Sequence, residues 1–178
     1  MIVVISGSNR PGNNSSVVAK ALEGMLADAG EEIFPIDLEA LPPELFTPAA
    51  YAEKPVAFEP IQEAILNTDG ILTVVPEYNG SYPGALKYFI DCLRFPESLV
   101  SKPSAFVGVA AGQWGGLRAV EQLEMVFQYR HAHLYGRRVF LSNIFGAVAN
   151  GQLNDTEAIR RVQELVDGFV PFCRALRG

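Results

Sequence analysis

The chain has 178 residues, a net charge of −6 at pH 7 and a pI of about 4.9, and 49% of its residues are hydrophobic. This length and composition fit a single globular domain over residues 1–178 with a full-sized core. The acidic balance, with no run of Lys or Arg, argues against a nucleic-acid partner, and no apolar run approaches the roughly 18 residues that a membrane-spanning helix needs.

The first predicted strand is the apolar run Ile2–Ile5, which suits a strand buried on both faces. A polar loop over residues 6–16 follows, and then a helix that Gly30 ends. The loop combines hydroxyls, amides, glycines and one Arg, with no acid. Such a loop before a helix start can bind a phosphate, although it contains neither GxGxxG nor GxxxxGK[ST]. The alternative is a loop that only caps the helix.

Residues 32–38 form the second predicted strand, and Pro35 inside it favours an edge position. Residues 39–58 are irregular and rich in Pro, and we expect them near the ligand face or at a subunit contact. A short helix with Pro60 in its first turn comes next.

The third predicted strand, over residues 70–75, leads into the segment 75–87, which carries a carboxylate, two phenols, an amide and two glycines. A helix is predicted from Pro83 to about Phe95. A buried strand followed by a polar turn and a helix start is where open α/β folds bind ligands.

The fourth predicted strand, residues 105–110, opens into a Gly-rich turn over residues 111–118 and a helix. The fifth strand is predicted over 137–142. The sequence 154–157 (Asn-Asp-Thr-Glu) predicts a capping box at the start of the last helix, and Pro171 predicts a kink or an end near Val170.

Five strands thus alternate with five helices. This pattern predicts an α/β fold with a doubly wound, five-stranded parallel sheet of order 2-1-3-4-5 and helices on both faces. In that order the first and third strands flank the topological switch point, so the phosphate-like loop and the segment 75–87 meet in one crevice. A receiver domain shares this topology but needs acids after the first strand, where Ser6-Gly7-Ser8 stand instead.

Three segments resemble the NADPH-dependent FMN reductase family. Residues 76–87 match its Pro-Glu-Tyr-Asn-Gly-Ser-x-Pro-Gly-x-Leu-Lys signature almost residue for residue. The loop after the first strand is similar to the family's phosphate loop, with Asn13 where Ser is usual. The turn at 112–118 resembles its Gly-x-x-Gly-Gly-x-Arg segment, although Gln113 and Trp114 depart from it, and Trp114 either forms a pocket wall or caps a helix at the surface.

The resemblance implies a flavodoxin-like fold that binds FMN, with NADPH or NADH as hydride donor and a small-molecule electron acceptor in a ping-pong reaction through flavin N5. No catalytic side chain and no metal are expected. The implied phosphate ligands are Ser8, Arg10, Asn13, Ser15 and Ser16. The implied ring contacts are Pro76, Glu77, Tyr78, Asn79, Gly80, Gly112, Gly115 and Gly116. Glu77 is interpreted as a turn-capping carboxylate rather than a general base.

The family also implies a homodimer or homotetramer, with Tyr88, Phe95 and Tyr129 as interface candidates, and His131 and His133 are interpreted as surface or interface residues. The start of the chain does not resemble a signal peptide. Cys92 and Cys173 form no CxxC pair and are expected to be buried free thiols, which fits a cytoplasmic protein.

Two alternatives remain. A flavodoxin-type electron carrier would use the same fold and FMN without NAD(P)H; Arg10 and the 76–87 signature favour the reductase, and Trp114 favours the carrier. The other alternative is a family member that has lost flavin binding. The intact glycines of the three segments argue against it. The sequence leaves the acceptor and the choice between NADPH and NADH open.

Overall fold

The structure is a computed structural model and describes residues 1–177. The strands are β1 (Ile2–Ser6), β2 (Ile33–Asp37), β3 (Gly70–Pro76), β4 (Pro103–Val109), β5 (His133–Leu134), β6 (Val139–Leu141), β7 (Val148–Ala149) and β8 (Gln152–Leu153). The helices are α1 (Asn14–Asp28), α2 (Glu59–Asn67), α3 (Gly84–Cys92), α4 (Leu117–Tyr129), α5 (Ile144–Ala147) and α6 (Thr156–Leu176). No helix within residues 1–177 is both long and apolar enough to cross a bilayer.

The main sheet runs in the order β2-β1-β3-β4, and β5 and β6 both pair with β4 at its far edge. All these pairs are parallel, so the predicted flavodoxin-like order 2-1-3-4-5 is confirmed. The fifth position is divided between two short strands, of which only β6 lies within the predicted span 137–142. The antiparallel pair β7–β8 was not predicted.

Alternate residues of the central strands point to opposite faces and build two cores. On one face, Val4 and Val74 pack with α1 and α6. On the other, Ile5 and Phe106 pack with α2, α3 and α4. Both helix layers cover the sheet, which explains why β1, β3 and β4 are buried along their whole length.

The Pro-rich segment 39–58 covers the second core. It forms four short 3₁₀ turns from Leu38 to Phe58 and buries Leu41, Leu45 and Phe58. Its Phe46 stacks on Tyr88 of α3 at a ring-centroid distance of 5.3 Å. None of its residues lines the cavities at the carboxyl ends of the strands described below.

Helix α3 ends at Cys92 rather than at the predicted Phe95. Leu93 adopts an extended backbone, and the N–H of Arg94 donates to Gln62 Oε1 at 3.2 Å. Gln62 of α2 thus replaces a helix carbonyl as the partner of this N–H, and a contact 32 positions away in sequence sets the end of the helix.

Both expectations for the last helix need correction. Asp155 is its N-cap and accepts from the N–H of Ala158 at 2.7 Å, while Glu157 pairs with Arg160, so the reciprocal bonds of a capping box are not made. Helix α6 continues through Pro171 to Leu176 instead of ending near Val170. Val170 and Cys173 are buried on either side of the proline, and their packing offsets the one missing backbone bond.

Candidate functional site

A cleft lies at the carboxyl ends of β1, β3 and β4, at the predicted switch point. Its first part is a cavity of about 290 Å³. The lining residues are Arg10, Pro11, Gly12, Asn13, Asn14, Ser15, Pro76, Glu77, Tyr78, Val109, Ala110, Ala111, Ile144 and Phe145. The cavity therefore joins the loop after β1 to the segment after β3, as the sequence predicted.

The floor of this cavity is the first turn of α1, and Asn13 holds it in place. The Asn13 side chain accepts from the N–H of Ser16 at 2.9 Å and donates to the Arg10 carbonyl at 2.8 Å. The Ser16 hydroxyl donates back to the Asn13 carbonyl at 2.8 Å. Asn13 and Ser16 therefore shape the loop, and the first-turn N–H groups of Asn14 and Ser15 remain for a ligand.

Ser8 connects the two ligand segments. Its side chain is buried, and its hydroxyl lies 2.6 Å from the Tyr78 hydroxyl, so one of the two donates to the other. The Ser8 oxygen also accepts from the N–H of Arg10 at 3.2 Å. The exposed guanidinium of Arg10 lies over the Tyr78 ring, 5.4 Å from its centroid, which directs the positive charge to the cavity.

Residues 78–81 form a tight two-residue hairpin. Tyr78 and Ser81 exchange two backbone hydrogen bonds of 2.8 and 3.1 Å, and Asn79 and Gly80 have φ angles of 53° and 76°. Positive φ at both central positions is typical of the turn that Asn-Gly favours. The N–H groups of Asn79 and Gly80 have no partner within residues 1–177, so they can serve a ligand.

Gln122 of α4 holds this hairpin from behind. It accepts from the Ser81 hydroxyl at 2.6 Å and donates to the Gly80 carbonyl at 3.0 Å. Sequence reasoning missed this residue because the two partners are more than 40 positions away and Gln122 belongs to no local motif.

Glu77 stands between the two parts of the cleft. Its Oε1 accepts from Arg118 at 3.3 Å, and its backbone N–H donates to the Val109 carbonyl at 3.1 Å. Its Oε2 is buried and has no hydrogen-bond partner within the described chain. The carboxylate therefore pairs with a side chain rather than capping the turn.

The second part of the cleft is a cavity of about 230 Å³. The residues that line it are Glu77, Asn79, Gly80, Ala110, Ala111, Gly112, Trp114 and Arg118. Trp114 is 52% exposed and forms a wall of this cavity, which supports the first of its two interpretations. Gly112 also faces the cavity, and a Cβ built there would meet no atom within 4 Å.

Gly115 and Gly116 serve packing rather than the cavity. Both have positive φ, and a Cβ at either position would lie 2.8 Å from backbone atoms of β6 or β4, at Phe140 and Val109 respectively. These glycines let the turn approach the strand ends, and neither lines the two cavities. Phe145 of α5 is a lining residue that the sequence did not indicate, because α5 itself was not predicted.

Comparison with known proteins agrees with this geometry. Residues 1–146 match the NADPH-dependent FMN reductase family, and the chain belongs to that family. An NAD(P)H-dependent FMN reductase of Pseudomonas aeruginosa is 34% identical over 182 residues, covering 99% of this chain and 97% of the relative. A quinone reductase of Escherichia coli K12 is 31% identical over 151 residues, covering 80% and 77%.

Among solved structures, the flavoenzyme FerB of Paracoccus denitrificans matches with a TM-score of 0.81 at 24% identity, covering 98% of this chain and 97% of the other. This likeness shows the fold. Family membership makes the protein an oxidoreductase that uses FMN and NAD(P)H.

The residues present fit FMN. The cleft offers a guanidinium and helix N–H groups at one end and the N–H groups of the hairpin at the other. Glu77 Oε2 is a buried acceptor that has no donor among residues 1–177. No group of three or more His, Cys, Asp or Glu side chains within residues 1–177 is arranged to hold a metal ion.

Proposed function

We propose that FMN lies along the cleft, with its phosphate at Arg10, Ser15 and the start of α1. Its isoalloxazine ring would lie against residues 76–80 and Gly112. The observation that carries this proposal is the convergence of two donor sets on one cleft, from segments about 65 residues apart in sequence. The loop after β1 keeps its shape through the hydrogen bonds of Ser8, Asn13 and Ser16. The turn at residues 112–118 can approach the strand ends because Gly115 and Gly116 have no side chains.

FMN bound there would supply the redox chemistry, that is, hydride uptake from NAD(P)H and reduction of the acceptor, for which we propose a ping-pong order at one open face of the ring. The chain's part is to bind and orient the flavin. The N–H groups of Asn79 and Gly80 are placed to stabilise negative charge on the polar edge of the ring. The open cavity beside Trp114 gives both substrates access in turn.

We infer that the acceptor is a small planar conjugated molecule such as a quinone. Trp114 presents an exposed flat aromatic surface at the ring end of the cleft, and such a surface stacks planar molecules. The name of the quinone reductase relative supports the same class. A cytoplasmic location is also proposed, because Cys92 and Cys173 are both buried and free.

A homo-oligomer is proposed through the groove between α3 and α4. This cavity of about 610 Å³ is lined by Ile90, Leu93, Phe95, Met125, Tyr129 and Arg130, among others. Phe95 and Tyr129 are 68% and 74% exposed, whereas Tyr88, the third interface candidate, packs on Phe46 and Tyr51 of the same chain. Gln122 and Tyr82 also line the groove, so a partner there would contact the residue that holds the hairpin.

The test begins with the purified protein mixed with FMN and passed through a desalting column. Retained flavin absorbance that bleaches on anaerobic addition of NADPH or NADH, and returns with benzoquinone, is the expected result. Colour that neither nucleotide bleaches would support the electron carrier instead. Loss of all flavin, confirmed by fluorescence titration, would overturn the proposed cofactor site.

A further inference from the structure

Phe145 of α5 is an aromatic side chain that stands exposed on the wall of the cleft. It is 73% exposed, and it lines the cavity of about 290 Å³ together with Arg10 and Asn13. It makes no ring contact with another aromatic side chain within residues 1–177. A single exposed apolar residue is common on a protein surface, but one that lines a ligand cavity is a candidate for ligand contact.

The turn that carries Phe145 is fixed to the fold on both sides. Ile144 is buried in the first core, and its N–H donates to the Ala110 carbonyl beyond the end of β4 at 3.1 Å. The Asn143 carbonyl accepts from the N–H of Gly146 at 2.8 Å, and a Cβ on Gly146 would lie 2.6 Å from the Asn143 side chain. Because these contacts fix the backbone, the Phe145 ring is already at the cavity before any ligand binds.

The ligands of the proposed reaction differ in the aromatic groups that they could bring to Phe145. FMN has one aromatic system, and the proposed orientation places it at the Trp114 end of the cleft and the phosphate at the Arg10 end. A small acceptor that reacts at the flavin ring has no second ring system. NAD(P)H has two, the nicotinamide that must reach the flavin and the adenine beyond the pyrophosphate. Adenine is therefore the aromatic group left for Phe145.

We propose that Phe145 is a specificity-determining residue that stacks the adenine of NAD(P)H while the nicotinamide lies at the flavin ring beside Trp114. This inference rests on the proposed function and names the part of the hydride donor that the chain recognises. An aromatic ring stacks on a purine through flat faces and without hydrogen bonds, so the contact serves NADPH and NADH alike. The donor would contact both ends of the cleft and the acceptor only one, so a change at Phe145 affects the donor alone.

The test compares NADPH and NADH with reduced nicotinamide mononucleotide, which keeps the reactive ring but lacks the adenosine half. The FMN-loaded wild type and Phe145→Ser are reduced anaerobically over a range of donor concentrations, and the flavin absorbance gives an apparent dissociation constant and a limiting rate for each donor. We expect Phe145→Ser to weaken binding of both dinucleotides roughly tenfold at an unchanged limiting rate, because base stacking on an aromatic ring is lost. Binding of the mononucleotide should stay nearly unchanged, and Phe145→Tyr, which keeps a flat ring, should resemble the wild type.

A second measurement makes the same comparison without turnover. Calorimetry gives the binding of NADP⁺ and of oxidised nicotinamide mononucleotide to the FMN-loaded proteins, and Phe145→Ser should weaken only the binding of NADP⁺. Tyr51→Ser is the matched control, because it removes an aromatic side chain that is 64% exposed but lines neither cavity of the cleft. It should bind every nucleotide like the wild type.

Several results would overturn the proposal. Equal weakening of dinucleotide and mononucleotide by Phe145→Ser, or weaker FMN binding in a fluorescence titration, would assign Phe145 to the flavin or to the fold. Unchanged binding of the dinucleotides would show that adenine does not contact this residue. A wild type that retains FMN but is reduced by none of the three donors would refute the proposed reductase function itself, and this inference with it.

Discussion

The hydroxyl oxygens of Ser8 and Tyr78 lie 2.6 Å apart, although the two residues are 70 positions apart in sequence. This single hydrogen bond joins the loop after β1 to the segment after β3. Because Ser8 also accepts from the N–H of Arg10, the bond links the hairpin to the residue that we assign to the phosphate. This contact between the buried Ser8 and the half-buried Tyr78 therefore helps to position the two segments relative to each other before any ligand binds.

Tyr78→Phe tests this connection. The variant keeps the ring under Arg10 but leaves the buried Ser8 hydroxyl with one partner fewer. We expect the free energy of unfolding of the flavin-free protein to fall by about 1–2 kcal/mol in urea denaturation, with weaker FMN binding. Tyr51→Phe, at a side chain that is 64% exposed, is the control and should change neither. If Tyr78→Phe and the wild type were equally stable, the Ser8–Tyr78 hydrogen bond would contribute nothing to the free energy of unfolding.

Arg10 should discriminate FMN from riboflavin, which lacks the phosphate. We expect Arg10→Gln to weaken FMN binding roughly tenfold to a hundredfold, because charge-assisted hydrogen bonds to a phosphate are lost. Riboflavin binding should change little. Fluorescence titrations with both flavins, at fixed ionic strength, measure the difference. A similar loss for both flavins would place Arg10 away from the phosphate.

Local patterns were sufficient for the sheet order and for the position of the cleft. The apolar runs of β1, β3 and β4 and the Asn79-Gly80 turn depend mainly on residues close in sequence, so the sequence predicts them. The end of α1 is also predictable from the local sequence, because Gly30 follows the helix and adopts a φ of 79°.

Other features depend on distant partners. Gln62 sets the end of α3, and core packing around Val170 carries α6 past Pro171. The pairing of Glu77 with Arg118 and the contact of Gln122 with the hairpin each join residues about 40 positions apart. The family resemblance named Gly115 and Gly116 as ring contacts, but only the structure shows that they pack against strand backbone.

In the turn at residues 112–118, glycine substitutions can distinguish a position needed for packing from one that faces the cavity. Gly116→Ala would place a Cβ 2.8 Å from the backbone N of Val109 at a φ of 87°, so we expect a loss of about 2 kcal/mol or more of unfolding free energy. Gly112→Ala meets no atom within 4 Å and should retain wild-type stability. Urea denaturation of both variants without flavin gives the comparison. Similar stabilities would mean that the turn does not depend on the close approach at Gly116.

The groove between α3 and α4 makes a prediction about assembly. Tyr129→Asp places a charge on its exposed apolar wall and should shift the protein toward the monomer, because burying an unpaired carboxylate opposes association. Sedimentation velocity over a range of concentrations measures the shift. Val56→Asp, at an 89% exposed position outside the groove, is the control and should keep the wild-type distribution. A wild type that is monomeric at all concentrations would contradict the proposed oligomer.

The buried thiol of Cys173 should make stability depend on alkaline pH. Burial, reinforced by the nearby Glu31 carboxylate, raises the pKa of Cys173 from 9.0 to about 12. The folded protein keeps a proton that the unfolded chain loses above pH 9. The stability that the protonated Cys173 thiol contributes is therefore complete below pH 9. It decreases as the pH rises from about 9 to 12, by up to ~1.4 kcal/mol per pH unit.

Urea denaturation at pH 8, 9 and 10, compared between the wild type and Cys173→Ala, isolates this contribution. Ionisation of Lys and Tyr is common to both proteins and cancels in the difference. At pH 8 we expect Cys173→Ala to have the lower free energy of unfolding, because it leaves a cavity beside Phe169. The difference in unfolding free energy between the two proteins should then narrow as the pH rises above 9. A gap that is constant with pH would show that the thiol ionises equally in the folded and unfolded states.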